Sequence, residues 1–299
     1  MNLGILAGIG SAAIWAAAST LMASSSTRID ALSVSTLRAA WSAIALLVVT
    51  PFVVISGGFD ALDAGVVLAV VGSAILGNAL GDTLYVASLN ALGLTRAFTI
   101  SLGLFVFLTY IFGIALLGYD ITVAEALGSV LVLVGVYVVS LRGRRSGSSE
   151  PTTSPPGRNL IRGLALVAAA ALIWALATVW LGDVVEGQNA IALNALRLPA
   201  TALVLGFAVG VVPGSSIRKR AISRRDHGAL FVAGIFGTAV GSLLFIYAVQ
   251  EAGVGRAAVA TAISPLFAVP LGAIFLKEQL TLWLVAGVVV AVVGIVLIS

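Results

Sequence analysis

The chain has 299 residues, of which 60% are hydrophobic and only 9% are charged, and its mean hydropathy is +1.16. Because about a quarter of the residues of a soluble domain are charged, this composition excludes that class and indicates a helical membrane protein. The chain has no cysteine, which excludes disulfides, iron–sulfur clusters and thiol catalysis, and its single histidine, His227, lies in a basic loop. We therefore expect neither a metal site nor a cofactor.

Apolar runs of about 20 residues, long enough to cross ~30 Å of hydrocarbon, recur along the whole chain. The first run, from Leu3 to Met22, has the length of a signal peptide, but no Lys or Arg precedes it, so we interpret it as a membrane span. The runs predict an all-α, multi-pass protein of the cell membrane, embedded in the lipid bilayer, with ten transmembrane helices at roughly 3–24, 32–55, 64–89, 96–117, 121–141, 162–180, 190–212, 229–250, 256–276 and 280–298.

Residues 142–161 are predicted to be a flexible, basic linker. They are rich in Ser, Pro, Gly and Arg, which bury little surface and favour an unstructured connection. The linker divides the chain into two units of five spans each, 1–141 and 162–299.

The two units repeat one another. Six of the twenty positions from Gly77 to Arg96 are identical to those from Gly237 to Arg256, and further matches recur 159 residues apart, namely Gly4/Gly163, Ile14-Trp15-Ala16/Ile173-Trp174-Ala175, Leu37-Arg38/Leu196-Arg197, Gly128/Gly287 and Gly135/Gly294. Because each unit has an odd number of predicted spans, the second copy must enter the membrane upside down. A 5+5 inverted repeat is typical of secondary transporters, which bind substrate between the repeats near the membrane midplane.

Loop charges predict the orientation of the chain. One side of the predicted topology holds 14 of the 16 basic residues, and only Arg197 and Arg256 fall on the other side. The positive-inside rule then places the linker and the loop 213–228 in the cytoplasm and both termini outside it. The net charge of +4 is explained by loops that face anionic lipid, so we expect no nucleic-acid partner.

Asp82 is the acid that lies deepest within a predicted span. It shares a helical face with Asn78 and Tyr85, at i, i+4 and i+7. A charge inside a span costs about 2.5–3.5 kcal/mol on insertion scales, so it should face a cavity or a partner. Two interpretations remain open and are compatible: a structural ion pair with Arg38, and a role in binding substrate or protons.

Ser242 occupies the place of Asp82 in the second unit, so Arg197, the counterpart of Arg38, has no matching acid. Arg197 is expected either to reach the outer headgroups or to face the mouth of a cavity, with Glu251 as a candidate partner.

Three further candidates are uncharged. Trp15 and Trp174 are matched aromatics in the middle of spans, where they either line a cavity or pack against neighbouring helices. Pro265 follows Ser264 inside the ninth predicted span, and proline there removes a helical hydrogen bond and predicts a kink.

The end of the chain, from Gly255 to Pro265 and on through Glu278 to Gly287 and Gly294, resembles an EamA repeat of the drug/metabolite transporter superfamily. The segment Ile14-Trp15-Ala16 resembles it too. Two copies of the repeat together cover nearly the whole chain. It implies a transporter fold but not a particular substrate. The first unit departs from the pattern, with Phe105 and Tyr119 where the Ser-Pro pair and the Glu are expected. Many members of the family keep their termini in the cytoplasm, which is opposite to the orientation that the loop charges predict.

The sequence thus predicts a secondary transporter that moves a small organic metabolite by alternating access, with proton coupling as a candidate and with the direction of transport open. A channel and a non-transporting structural membrane protein are the alternatives. An enzyme is disfavoured, because Asp82 has no second buried acid beside it and the spans hold no His or Cys. A homodimer is one candidate assembly.

Overall fold

The computed structural model describes residues 3–117, 122–142, 156–219 and 222–298, and the regular secondary structure in these ranges is entirely helical. The helices are, in chain order, α1 (Leu3–Ser26), α2 (Ala31–Ile55), α3 (Ala64–Leu92), α4 (Leu94–Leu117), α5 (Val123–Arg142), α6 (Pro156–Gly182), α7 (Ala190–Val211), α8 (Arg224–Ala252), α9 (Val254–Phe275) and α10 (Leu282–Ile298).

Eight of these helices, all except α5 and α10, are long and apolar enough to cross a membrane. Within the described residues, α5 and α10 contain shorter apolar stretches, Val130–Val139 and Leu282–Leu297. Large apolar side chains cover the outside of the bundle, and Phe52 and Phe207, for example, are 71% and 74% exposed. Such a surface belongs in lipid, and the chain is a multi-pass integral membrane protein.

The predicted spans agree with the helices to within a few residues, except at two starts. Helix α6 begins at Pro156 rather than at 162, so the last residues of the predicted linker 142–161 are helical. Residues 143–155 of that linker lie outside the described residues. Helix α8 begins at Arg224 rather than at 229, because Ser223 accepts a hydrogen bond from the backbone N–H of Asp226 and caps the helix.

Helices α3 and α4, and likewise α8 and α9, are separated by a single glycine. Gly93 and Gly253 have φ angles of 76° and 82°, a region that side chains with a Cβ rarely adopt. The chain therefore reverses within one residue at both places. Matched glycines thus produce matched helical hairpins in the two halves of the sequence.

Helices α3 and α8 each contain a π-helical segment, Ile75–Gly81 and Ala233–Val240. A π-helical turn inserts an extra residue and shifts the side chains that follow it around the helix axis. Asp82 is the first residue after the segment in α3, and Ser242 follows the segment in α8 closely. The regular α-helical spacing predicted for this stretch is therefore wrong in detail, and the change bears on the residues at the centre of the bundle.

Helix α9 is interrupted as predicted. Its two parts, Val254–Ala262 and Pro265–Phe275, meet at Ser264, whose hydroxyl donates to the carbonyl oxygen of Thr261. Pro265 has no N–H to continue the first part and begins the second part.

Glu278, between α9 and α10, caps the start of α4. Its carboxylate accepts hydrogen bonds from the backbone N–H groups of Leu94 and Thr95 and from the Thr95 hydroxyl. A carboxylate at a helix N-terminus satisfies groups that have no partner within the helix. The second half of the sequence is thereby attached to the first. Tyr119, near the corresponding place in the first half, lies outside the described residues.

Helices from the two halves meet in matched pairs of contacts. A Cβ atom added to Gly81 would lie 2.7 Å from Trp174 Cδ1, and one added to Gly241 would lie 2.6 Å from Trp15 Nε1. Helices α5 and α10 also meet at matched positions. A Cβ atom added to Gly294 would lie against the Gly128 carbonyl oxygen, and one added to Gly287 would lie against the Gly135 carbonyl oxygen. Glycine lets helix backbones approach closely in membranes.

As a result of these contacts, the first helix of each half of the sequence packs among helices of the other half. Helix α1 packs against α8 and α9, whereas α6 packs against α3 and α4. Between these two groups, α2 packs against α7 and α5 against α10. The α1–α8–α9 group and the α3–α4–α6 group therefore face one another with the paired helices between them.

Candidate functional site

A cavity of about 130 Å³ lies between the two helix groups. Most of its lining comes from matched positions of the two halves: Trp15/Trp174, Ala18/Ala177, Ser19/Thr178, Met22/Leu181, Arg38/Arg197, Gly77/Gly237, Asn78/Thr238, Asp82/Ser242 and Tyr85/Phe245. The three unmatched lining residues, Phe98, Leu102 and Phe105, all come from α4. Their counterparts on α9 are Ala258, Ala262 and Pro265, which do not line the cavity.

The structure brings eight of the nine predicted site residues to this cavity. They are Trp15, Arg38, Asn78, Asp82, Tyr85, Trp174, Arg197 and Ser242. Pro265 is buried in α9 away from the lining, because the small residues of α9 pack that helix against α1.

Arg38 and Asp82 form the anticipated ion pair. Arg38 Nη2 lies 2.5 Å from Asp82 Oδ2, and the two side chains are 7% and 20% exposed. Arg38 Nη1 also donates a hydrogen bond to Thr238 Oγ1 at 2.6 Å. One guanidinium thus connects α3 of one helix group with α8 of the other.

The two matched tryptophans differ in their hydrogen bonds. Trp174 Nε1 donates to Asp82 Oδ1 at 2.8 Å, whereas Trp15 Nε1 donates to the Gly237 carbonyl oxygen at 3.0 Å. The carboxylate of Asp82 therefore has a partner on each oxygen. A charge-assisted bond of this kind is stronger than one between neutral groups.

Aromatic rings form two matched walls of the cavity. The ring centroids of Trp15 and Phe245 are 5.3 Å apart, and so are those of Trp174 and Tyr85. Tyr85 also contacts Phe98, at 6.1 Å. An apolar body of a ligand would pack between these walls.

Arg197 is buried in the cavity wall, with 6% of its surface exposed. Of the two alternatives predicted for Arg197, its position agrees with facing the cavity and not with reaching the outer headgroups. Its pairing with Glu251 stays a prediction. Ser242, which stands in the place of the acid, donates its hydroxyl to Asn194 Oδ1 at 2.8 Å.

Ser19 and Thr178 belong to the lining but were not among the predicted site residues. Each follows a lining tryptophan by four residues, a spacing that places it on the same helical face. That signal is present in the sequence. Phe98, Leu102 and Phe105 on α4 carry no such signal, because they are ordinary apolar residues of a span.

One end of the bundle is held together by polar contacts between the α1–α2 and α7–α8 connections. Asp30 accepts hydrogen bonds from the Ser216 N–H at 2.6 Å and the Ser33 hydroxyl at 2.7 Å. Burial raises the pKa of Asp30, but these hydrogen bonds outweigh it and leave the pKa below its usual value. Arg28 forms an ion pair with Asp226, and hydrogen bonding to that carboxylate raises the pKa of Arg28.

Comparisons with known proteins agree with this architecture. The sequence model of the EamA-like transporter family matches residues 2–141 and again residues 161–299. Two proteins of Archaeoglobus fulgidus, both named uncharacterized transporter, are similar to the chain. The first is 27% identical over 79% of this chain and 77% of its own length, and the second is 32% identical over 45% of this chain and 46% of its own length.

A solved structure, titled only as the crystal structure of a protein, superposes with a TM-score of 0.69 at 16% identity. The match covers 98% of this chain and 95% of the other. At this identity the likeness shows the fold alone. The family match spans both halves of the sequence, and the chain is therefore a membrane transporter that belongs to the EamA-like transporter family, within the drug/metabolite transporter superfamily.

Proposed function

We propose that the chain is a secondary transporter that binds a small organic metabolite in the central cavity and moves it by alternating access. The observation that carries the proposal is the cavity itself, about 130 Å³ in volume and lined by matched residues of both halves. A site placed between two repeats becomes accessible from either side of the membrane when the repeats tilt.

The proposed architecture is a 5+5 inverted repeat of ten transmembrane helices, α1–α5 and α6–α10. The family match to each half and the reciprocal contacts of Gly81 with Trp174 and Gly241 with Trp15 support it. The moving bodies would not be the two halves of the sequence. Because α1 and α6 each pack on the other half, we propose that the α1–α8–α9 group tilts against the α3–α4–α6 group.

Arg38 is proposed to couple substrate binding to this tilt. It bonds Asp82 on α3 and Thr238 on α8, so a tilt that separates the two groups must break one of these bonds. Breaking a buried charged contact is costly unless a substrate replaces it. Substrate binding would therefore lower the barrier to the change.

A more specific hypothesis is that Asp82 couples proton movement to transport. The carboxylate is 20% exposed and faces the cavity, yet Arg38 and Trp174 each bind one of its oxygens. Proton uptake by Asp82 would therefore require the Arg38 ion pair to open during the transport cycle.

A channel remains the alternative, and counterflow distinguishes the two. The purified protein is first tested against a metabolite panel by thermal shift, because a ligand that binds only the folded state raises the melting temperature. Proteoliposomes loaded with a stabilising compound should then accumulate trace labelled compound transiently, and initial rates should saturate. Flux that neither saturates nor responds to the loaded compound would indicate a channel. The absence of any flux would indicate a structural role.

A further inference from the structure

Arg197 is a buried cation whose hydrogen-bonding capacity is largely unused. It lines the cavity from α7, and its Nε and Nη1 atoms are buried without a hydrogen bond to any described residue. Buried polar groups in native proteins are nearly always hydrogen-bonded, and an orphaned one requires an explanation. The unpaired N–H groups of this guanidinium can donate hydrogen bonds to an acceptor that enters the cavity.

The contrast with Arg38 shows why Arg197 is left in this state. Arg38 binds Asp82 and Thr238, and the residues at the positions that match these two are Ser242 and Asn78, which also line the cavity. Ser242 donates its hydroxyl to Asn194 instead. Asn78 lines the cavity and forms no hydrogen bond with Arg197. The first half of the sequence supplies an acid to its guanidinium, whereas the matched position in the second half supplies a serine. Arg38 has one nitrogen, Nε, buried without a hydrogen bond, and Arg197 has two.

The charges of the lining do not balance. Its charged residues are Arg38, Arg197 and Asp82, two cations and one anion, so the described lining carries a net charge of +1. Asp82 lies within electrostatic range of Arg197, but Arg38 and Trp174 already bind both of its oxygens. An uncompensated buried charge is strongly destabilising. A single negative charge on a ligand would compensate it.

We propose that Arg197 binds the carboxylate of the transported solute, so that the substrate class is small organic acids with one carboxylate. This inference rests on the proposed transport function. A guanidinium binds a carboxylate through two parallel hydrogen bonds, and one carboxylate matches the net charge of the lining better than a phosphate group, which carries about −1.5 to −2. The aromatic walls formed by Trp15 with Phe245 and by Trp174 with Tyr85 would hold an apolar or aromatic body beside the carboxylate.

The test compares carboxylic acids with their neutral amides, which have nearly the same shape. Melting temperatures of the purified protein are measured with phenylacetate and phenylacetamide, indole-3-acetate and indole-3-acetamide, and butyrate and butyramide. We expect at least one acid to raise the melting temperature in a saturable way and its amide not to do so. In Arg197→Gln the affinity for that acid should fall roughly ten- to hundredfold, the effect of losing a hydrogen bond to a charged group.

Two further variants separate recognition from folding. Arg197→Lys retains the charge but loses the planar fork, so it should bind the acid with intermediate affinity. Arg256→Gln removes a cation of α9 that does not line the cavity and should bind the acid as the unchanged protein does. If Arg197→Gln fails to fold, the inference is still tested by the affinity of Arg197→Lys and by the comparison of acid with amide in the unchanged protein.

Three results would overturn the inference: amides that stabilise as well as acids, acid binding that survives in Arg197→Gln, and a panel in which no acid stabilises the protein. Exchange assays in proteoliposomes separate this failure from that of the proposed function. If a neutral or cationic solute exchanges and no acid does, the protein is a transporter and the assignment of acids is wrong. If no solute exchanges at all, both proposals fail.

Discussion

Arg38 and Asp82 form a salt bridge between α2 and α3, with Arg38 Nη2 2.5 Å from Asp82 Oδ2. Their counterparts in the second half, Arg197 and Ser242, form no such contact. Apart from three residues of α4, the cavity is lined by matched positions of the two halves, but its charges are not matched. We propose that this asymmetry gives the two arginines different roles. Arg38 holds the helix groups together, and Arg197 is available to a ligand.

A double-mutant cycle should show that Arg38 and Asp82 stabilise the fold as a pair. Asp82→Asn or Arg38→Gln alone leaves one buried charge without its partner, and we expect each to cost about 3–5 kcal/mol. The double variant should be more stable than the sum of the two losses predicts. The measurement is the melting temperature of each purified variant in detergent. Losses that add to within about 0.5 kcal/mol would mean that the two side chains do not interact.

Close packing of glycine against tryptophan should be equally important in both halves. Gly81→Ala and Gly241→Ala would each place a methyl group within 3 Å of a tryptophan ring, so we expect losses of about 1–3 kcal/mol from overpacking. Gly206→Ala is the matched control, because a Cβ at that position on α7 meets nothing within 4 Å. Melting temperatures that do not distinguish Gly81→Ala from Gly206→Ala would contradict the close approach of α3 and α6.

The sequence predicted most of the fold because the hydrophobic runs and the repeat are strong signals. Asp82 and its neighbours could be identified, since a charge inside an apolar span is costly and therefore informative. The π-helical segments of α3 and α8 could not be predicted, because such turns are rare insertions within α-helices that the hydrophobic pattern of a span does not reveal. The position of Arg197 could only be narrowed to two alternatives. Snorkelling and cavity lining give the same sequence pattern, and only the tertiary contacts of α7 distinguish them.

Topology can be tested with reporters fused to the chain. From the 14-to-2 distribution of basic residues, a reporter after Ser299 should be located outside the cytoplasm, and one inserted in the linker between 143 and 155 should be located inside it. The control is a pair of fusions to a variant in which the arginines of the linker are replaced by glutamine, which should weaken the preference. If the two unmodified fusions give the opposite locations, the loop charges do not set the orientation here.

Asp82 is the residue through which we expect proton movement to be coupled to transport. Asp82→Asn should abolish uptake driven by a pH gradient into proteoliposomes and leave exchange at equal pH largely intact, because the amide keeps the size of the side chain but binds no proton. Ser242→Ala, which alters the matched position without touching an acid, should retain gradient-driven uptake.

Because Asp82 is paired with Arg38, the test of Asp82→Asn needs a control for folding. Asp82→Asn leaves Arg38 without a counter-charge, so a general loss of folding would resemble a loss of coupling. The variant Asp82→Asn/Arg38→Gln removes both charges and should fold better, and gradient-driven uptake should still be absent from it. If exchange and gradient-driven uptake fall together in this folded double variant, the pair serves binding or structure and coupling lies elsewhere. If neither falls, Asp82 has no part in transport.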